Sequence, residues 1–453
     1  MNFEELVESI PNYKRFFKVE ELNQRAVELA ERYPKIVEID VAGKSRKGRD
    51  ILVMKIGSGE KTALAFGCPH PNEPIGAMML DWLSEELARN DELRESLGYT
   101  WYIVKSIDVD GTVLNEGWFD NPQSIACYAE NFYRPASHQQ VEWTFPVHYK
   151  TLHFEAPLPE TQVLMKLIEE EKPQFMYSLH NAGFGGVYYY ITDGEKKLFE
   201  KFERIPHMFS VPLALGEPEV PYLEELSKAV YKLSPITDEY DYLEKHLNAD
   251  PASVIQAGAC SDEYAARVAN TFSLVCEVPY YYDSRIEDLS PADITRKEAR
   301  SMNLRDSEEH LHFLAENFDK VCDLVDESSP FYEPISQQVR LGPKHLEAEK
   351  NWIETDTTLL RPATVAEVFD NTLVSKFYRT LSLGIFKRLI KDALRSSTNQ
   401  KLVDTLDRLE ERFQANLKFL NDNLNYKAIP IKDLVSIQLL AGLHTSQYVL
   451  GRM

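Results

Sequence analysis

The chain has 453 residues, enough for two domains, and 43% of them are hydrophobic, which is usual for a globular protein. Its formal net charge of −22 argues against nucleic-acid partners and anionic membrane surfaces, because both are bound through basic patches. No apolar run approaches the roughly 18 residues of a membrane span, and the first residues lack the pattern of a secretory signal. The five cysteines are scattered without a CxxC pair, so the sequence predicts a cytoplasmic location without disulfides.

Helices and strands alternate over the first 280 residues. The apolar spacing predicts helices over 19–33, 75–88 and 159–171, and strands over 37–41, 51–56, 63–66, 99–107, 175–179, 187–191 and 272–278. The strand over 99–107 ends at Asp108-Val109-Asp110-Gly111, which reads as a turn. Several strands are apolar on both faces, so the pattern predicts an α/β sandwich with a mostly parallel, buried sheet.

Helical periodicity replaces the strand pattern after about residue 300. An apolar seam predicts a helix over 402–424, and further helices are expected near 365–395 and 432–449. We therefore divide the chain into a first region, residues 1–328, and a helical region, residues 329–453. The helical region could pack on the first region, form a homo-oligomer interface or cover a cleft, and the sequence does not choose among these roles.

The stretch Gly67-Cys-Pro-His-Pro-Asn-Glu-Pro-Ile-Gly76 lies between a predicted strand and a predicted helix. It is rich in proline, as turns are, but it also carries His70 and Glu73 in an HxxE pattern. A later strand ends at His180. Two imidazoles and a carboxylate are the ligands of catalytic zinc sites, which keep a fourth position open. The alternative is a simple turn together with a histidine satisfied at a strand end.

Glu277 is a single acid in the apolar run Phe272-Ser-Leu-Val-Cys-Glu-Val278. The carboxyl ends of parallel strands meet at one edge of a sheet, so Glu277 is expected near His70, Asp108 and His180. A water-activating site needs a base that is not a metal ligand, and Glu277 fits that role. The alternative is a carboxylate paired with a buried arginine, Arg134 or Arg267.

Several motifs occur in a fixed order along the chain. They are Gly43-Lys-Ser45 with Gly48-Arg49, the HxxE pair, Asp108-Val-Asp-Gly111, Pro159-Glu-Thr161, Ser178-Leu-His180, and Gln256-Ala-Gly258 continuing without a gap to Glu277. Over roughly residues 30–285 this series resembles the zinc carboxypeptidases, the metallopeptidases similar to carboxypeptidase A. The resemblance implies a three-layer α/β/α sandwich with a mixed, mostly parallel central sheet, to which this chain adds a C-terminal all-helical region.

The resemblance also implies a zinc metallocarboxypeptidase whose catalytic domain is residues 1–328. His70, Glu73 and His180 would bind one zinc ion, and Glu277 would accept the proton of a water molecule. Arg134, in Asn131-Phe-Tyr-Arg134, resembles the arginine that polarises the scissile carbonyl and stabilises the oxyanion in this family. The expected partner is a peptide or a small amide substrate.

The departures from the family pattern concern the end of the substrate. Aligned on Phe145-Pro146, Glu142 and Trp143 occupy the positions of the Asn-Arg pair that binds the substrate's C-terminal carboxylate in the family. Ile255 stands where the family has a tyrosine, and Asp262 occupies the position that tunes side-chain preference. The two acids favour a basic or amine-bearing substrate group over a carboxylate.

Three functions follow as hypotheses. The chain could be a metallocarboxypeptidase acting on a C-terminal or modified amino acid, or a zinc deacylase or amidohydrolase of small N-acyl substrates. It could instead be a catalytically inactive scaffold on a carboxypeptidase fold, although retention of Glu277 argues against that role. Hydrolysis that is lost on chelation would separate the two enzymes from the scaffold.

Overall fold

The strands pair into four sheets in the computed structural model, which describes residues 3–452. They are β1 (Val37–Lys44), β2 (Asp50–Ile56), β3 (Lys61–Gly67), β4 (Tyr99–Val104), β5 (Val147–Tyr149), β6 (Leu152–Phe154), β7 (Phe175–His180), β8 (Tyr188–Ile191), β9 (Glu225–Ser227), β10 (Val230–Lys232), β11 (Phe272–Glu277), β12 (Tyr281–Tyr282), β13 (Pro291–Thr295), β14 (Pro362–Thr364) and β15 (Lys427–Ala428). The main sheet has nine strands in the order β1-β2-β4-β3-β7-β11-β8-β10-β9. Its central strands β4, β3, β7 and β11 are parallel, and β1 and β2 pair antiparallel with their neighbours. Strand β8 pairs antiparallel with β11 but parallel with β10, so the sheet is mixed as expected.

The helices cover both faces of the sheet and account for most of the C-terminal third. They are α1 (Phe3–Leu6), α2 (Val19–Arg32), α3 (Ile75–Arg89), α4 (Asp91–Leu97), α5 (Val109–Asn115), α6 (Ile125–Asn131), α7 (Pro159–Glu171), α8 (Lys196–Met208), α9 (Ile236–His246), α10 (Ser261–Ala269), α11 (Arg296–Phe318), α12 (Tyr332–Thr355), α13 (Val365–Phe369), α14 (Ser375–Leu394), α15 (Gln400–Asn423) and α16 (Ile431–Arg452). The predicted elements are therefore present, and their ends agree to within a few residues.

The central strands are buried on both faces of the sheet. Consecutive side chains point to opposite sides, and helices cover both sides. In β3, Ala63 and Ala65 join the hydrophobic cluster that includes α3 and α16, whereas Leu64 and Phe66 join the cluster that includes α7 and α10. This arrangement confirms the three-layer α/β/α sandwich.

The turn predicted at Asp108-Val-Asp-Gly111 is wrong. Strand β4 ends at Val104, and Asp108 is the N-cap of α5. Its carboxylate accepts a hydrogen bond from the backbone N–H of Gly111 at 2.9 Å. An aspartate that begins a turn and one that begins a helix look alike in sequence, because both satisfy backbone N–H groups two or three residues later.

Helix α16 packs on the central sheet beside α3 and α8. Tyr177 in β7 donates its hydroxyl to the carbonyl of Gln438, and the Gln438 amide donates to the carbonyls of His180 at 2.8 Å and Cys276 at 3.3 Å. The helical region thus shares one hydrophobic cluster with the first region. The boundary between residues 328 and 329 stays a prediction.

Within residues 3–452, none of the helices combines the length and apolar character that crossing a bilayer requires. All five cysteines are free thiols.

Candidate active site

The HxxE segment forms a tight connection between β3 and α3. The chain turns at Cys68, which has a positive φ of 53°, and the Glu73 N–H donates to the His70 carbonyl at 3.1 Å. Helix α3 then starts against β7, where a Cβ at Gly76 would overlap the Cβ of Leu179. Glycine at this position lets the helix approach the end of β7, so His70 and Glu73 are brought to His180.

His70, Glu73 and His180 converge on one point. Their potential ligand atoms lie within 4.8 Å of one another, and the exposed fractions of the three residues are only 4%, 1% and 4%. Within the described part of the chain, His70 Nδ1 and Glu73 Oε2 have no hydrogen-bond partner, although Glu73 Oε2 lies 3.0 Å from His180 Nδ1. Two imidazoles and a carboxylate that converge in a buried place, with His70 Nδ1 and Glu73 Oε2 left unpaired, fit a cation, and this ligand set is one that zinc prefers.

The surroundings of His180 orient its ring. The Ser178 hydroxyl donates to Glu142 Oε2 at 3.2 Å and lies 2.8 Å from His180 Nε2. In the neutral ring this chain of donors places the proton on Nε2 and leaves the Nδ1 lone pair directed at Glu73. Polar partners of this kind commonly orient a metal-binding histidine.

The ionisation of the two histidines differs. Burial lowers the pKa of His70 well below its ordinary value. Burial also lowers the pKa of His180, but Glu73, Glu277 and Glu142 outweigh it and raise that pKa to about 9. A metal ion bound at this site would need the neutral ring and would release a proton from His180.

Glu277 lies beside the metal-type cluster at the end of β11. It is in register with His180 across β7 and β11, and its Oε1 lies 3.8 Å from His180 Nδ1. Burial and the neighbouring Glu73 raise its pKa well above the ordinary value. Its Oε2 is buried and has no partner among residues 3–452.

The two arginines proposed as partners of Glu277 bind elsewhere. Arg134 Nη1 lies 3.1 Å from Glu73 Oε1, and Arg267 donates to the carbonyl of Pro146. The sequence alternative of a structural ion pair is therefore wrong for both residues. Neither arginine therefore satisfies the buried Glu277 Oε2, and a buried carboxylate oxygen without a partner is costly unless it faces a site.

Arg134 is part of the same site. Its Nε donates to Gln140 Oε1 at 2.9 Å, and its guanidinium carbon lies 5.2 Å from the centre of the Trp143 ring. The Trp143 ring also makes an edge contact with the His70 ring, with 5.0 Å between their centres. Trp143 thus contacts both Arg134 and His70.

Glu142 is buried, with only 4% of its surface exposed, and is fully hydrogen-bonded. Its Oε1 accepts from the backbone N–H of Ser261 at 3.1 Å and from the Ser261 hydroxyl at 2.6 Å, while its Oε2 accepts from Ser178. A carboxylate oxygen of Asp262 lies within 4.8 Å of a Glu142 oxygen. Burial and Glu142 raise the pKa of Asp262 to about 8.

The four substrate residues predicted from sequence line the same cavity as the metal-type cluster. The cavity has a volume of about 650 Å³, and Ile255 contributes a buried apolar surface to it. Arg134 is the one lysine or arginine among the described residues that line it. The acids that line it are Glu73, Glu142, Glu219, Glu239, Asp262 and Glu277.

Several residues of the site carry no recognisable signal in the sequence. Gln140, Ser178 and Ser261 hold Arg134, His180 and Glu142 in place, and polar residues of these types are too common to attract notice alone. Gln337 in α12 and Tyr378 in α14 also line the cavity, from the helical region. No local pattern marks either of them.

Sequence comparison decides the family. Residues 22–285, more than half of the chain, match the model of a family described as zinc carboxypeptidase. The chain belongs to the zinc carboxypeptidase family. The match ends before α11, so the helical region is an addition to the family's domain in this zinc carboxypeptidase relative.

Solved carboxypeptidases are distant from this family member. Carboxypeptidase A from Helicoverpa armigera has 16% sequence identity and a TM-score of 0.40, over 61% of this chain and 70% of that one. A metallo-carboxypeptidase from Burkholderia cenocepacia has 14% identity and a TM-score of 0.35, over 60% of this chain and 61% of that one. No curated protein matches the sequence at a significant level.

Proposed function

We propose that this family member is a zinc-dependent hydrolase that cleaves a peptide or amide bond, as a metallocarboxypeptidase acting on a C-terminal or modified amino acid. One observation supports this proposal above the others. His70, Glu73 and His180 converge on one point, and three buried atoms there, His70 Nδ1, Glu73 Oε2 and Glu277 Oε2, have no hydrogen-bond partner among residues 3–452. A scaffold that performs no chemistry has no use for three buried polar atoms that lack partners.

Each residue then has a role in hydrolysis. His70, Glu73 and His180 hold one zinc ion, which when bound lowers the pKa of a water molecule to about 7. Glu277 accepts a proton from water and passes it to the leaving amine. Arg134 moves its guanidinium from Glu73 to the carbonyl oxygen of the substrate, where it stabilises developing negative charge.

The negative charge of the cavity favours a leaving group that carries a further, cationic amine and no carboxylate. Glu142 occupies the position at which the family binds the substrate's carboxylate, and its hydrogen bonds to Ser178 and Ser261 fix it there. Arg134 already has Glu73 and Gln140 as partners. The same observation favours a second candidate function, a zinc amidohydrolase of small N-acyl amines.

A screen of peptides and amides tests the proposal, with zinc content measured in parallel. Wild-type protein is expected to hydrolyse at least one class of amide, and both chelation and Glu277→Gln should abolish turnover. Glu277→Gln should keep its zinc, because Glu277 is not a ligand. Hydrolysis that survives Glu277→Gln, or zinc binding without turnover of any amide, would refute the enzyme and leave the scaffold.

A further inference from the structure

The helical region forms one wall of the catalytic cavity. Three of its residues, Gln337 and Leu341 from α12 and Tyr378 from α14, line the cavity that also contains His70, His180 and Glu277. We call these three residues the helical wall. They lie outside the segment that matches the family, so the family's domain alone would leave this side of the cavity open.

Gln337 attaches α12 to two segments of the site. Its Oε1 accepts from the Ser137 N–H at 2.9 Å, and its Nε2 donates to the Ser137 hydroxyl at 2.7 Å and to Gln256 Oε1 at 2.9 Å. Ser137 follows the segment that carries Arg134, and Gln256 precedes the segment that carries Asp262. One side chain therefore fixes α12 to both.

Tyr378 attaches α14 to the segment that follows His180. Its hydroxyl accepts from the Gly183 N–H at 3.1 Å. The approach is close, because a Cβ at Gly183 would lie 2.8 Å from the neighbouring Phe377 ring. Helices α12 and α14 pack on each other, so the two attachments belong to one continuous wall.

We infer that the helical wall restricts this site to short substrates. The inference rests on the proposed function and adds the size of the substrate to it. A volume of about 650 Å³ is that of a pocket that buries a drug-sized ligand, which corresponds to a peptide or amide of roughly two to four residues. A longer chain would have to pass Leu341 and the side chains of Gln337 and Tyr378, which their hydrogen bonds to Ser137, Gln256 and Gly183 hold in place.

Access to Cys260 tests the wall without depending on turnover. Cys260 lines the cavity, and in a Cys127→Ser/Cys322→Ser background it is the one cysteine that is not buried. We would compare the labelling rate by N-ethylmaleimide with that by a polyethylene-glycol maleimide, each normalised to glutathione. The bulky reagent is expected to react at least tenfold more slowly, and Gln337→Ala/Tyr378→Ala and Leu341→Ala should each reduce that difference severalfold.

The matched control is Glu347→Ala, which removes an exposed side chain of α12 outside the cavity and should leave the difference unchanged. The second measurement is the kcat/KM for acetylated peptides, from dipeptide to octapeptide, that all end in lysine amide. Wild-type activity should fall at least tenfold beyond the tetrapeptide, and Leu341→Ala should flatten this dependence.

The outcomes separate the two proposals. Equal labelling by both reagents in the wild type, or a difference that the wall variants do not change, would overturn the inference that the helical wall restricts access. Equal kcat/KM across the peptide lengths would overturn it as well. Labelling as expected, together with no turnover of any peptide, would refute the proposed hydrolase activity and still support the restriction of access by the helical wall.

Discussion

Asp81→Asn should strongly destabilise the helix that follows the HxxE segment. Asp81 is in α3, and its carboxylate lies 2.7 Å from Lys105 Nζ and 2.7 Å from an Arg25 nitrogen. Only 6% of the Lys105 side chain and 2% of the Asp81 side chain are exposed. Arg25 reaches solvent and can do without this partner, whereas a buried ammonium cannot.

The magnitude follows from the ionisation of Lys105. Burial already lowers its pKa, and the attraction of Asp81 opposes that shift. Without the carboxylate, the folded protein must either bury an unpaired charge or release the proton of Lys105. About pH 7 lies roughly 3.5 units below the ordinary pKa of a lysine, and releasing the proton costs at most about 1.4 kcal/mol for each unit. We therefore expect a loss of about 3–5 kcal/mol in the free energy of unfolding.

Urea denaturation at several pH values is the assay. The folded-state pKa of Lys105 in Asp81→Asn is depressed below its unfolded value, so the loss should shrink by up to about 1.4 kcal/mol for each unit of rising pH. Asp81→Asn/Lys105→Met should recover most of the stability. Asp422→Asn, which removes a charge from an exposed pair with Lys418, serves as a control and should cost less than about 1 kcal/mol. A loss that does not change with pH, or a double variant as unstable as the single one, would refute the reasoning.

Three further predictions concern the helical region, the oxyanion and the substrate. Burial and then Arg379 lower the pKa of His310 to about 3, so its contribution to stability is complete above about pH 6.5 and is lost as the pH falls towards 3. Between about pH 7 and pH 5, the free energy of unfolding should therefore fall by about 2 kcal/mol less in His310→Gln than in the wild type, as measured by urea titrations. Identical pH profiles for the two proteins would contradict this. Arg134→Gln should lower kcat by about 10²–10³-fold with zinc content unchanged, because it removes charge from the developing oxyanion; a change in KM alone would exclude that role. Glu142→Gln should lower kcat/KM for lysine amides about tenfold relative to neutral amides in a paired kinetic assay, and an equal loss for both would show that Glu142 does not select a cation.

Two candidate metal ligands and the candidate base could be predicted from the sequence because each ends or follows a buried strand. A strand that is apolar on both faces is recognisable from its residues, and the polar residue at its carboxyl end is then conspicuous. His70, His180 and Glu277 all have this form. Their convergence follows from the parallel arrangement of β3, β7 and β11.

The walls of the site could not be predicted in the same way. Gln337 lies 200 positions from Ser137, to which it is hydrogen-bonded, and Tyr378 lies 195 positions from Gly183. Contacts over such separations depend on how whole helices pack, and a glutamine or a tyrosine in an amphipathic helix gives no sign of them. Glu142 is recognisable in the sequence as an unexpected acid, but its two serine partners come from β7 and α10 and carry no signal of their own.

The amount of zinc that the purified protein binds tests the central claim most directly. Elemental analysis after dialysis should find one zinc ion per wild-type chain. His180→Ala should lose that ion while urea denaturation still reports a folded protein, whereas Glu277→Gln should retain it. A wild-type chain that binds no zinc, or a His180→Ala variant that binds as much as the wild type, would contradict the account.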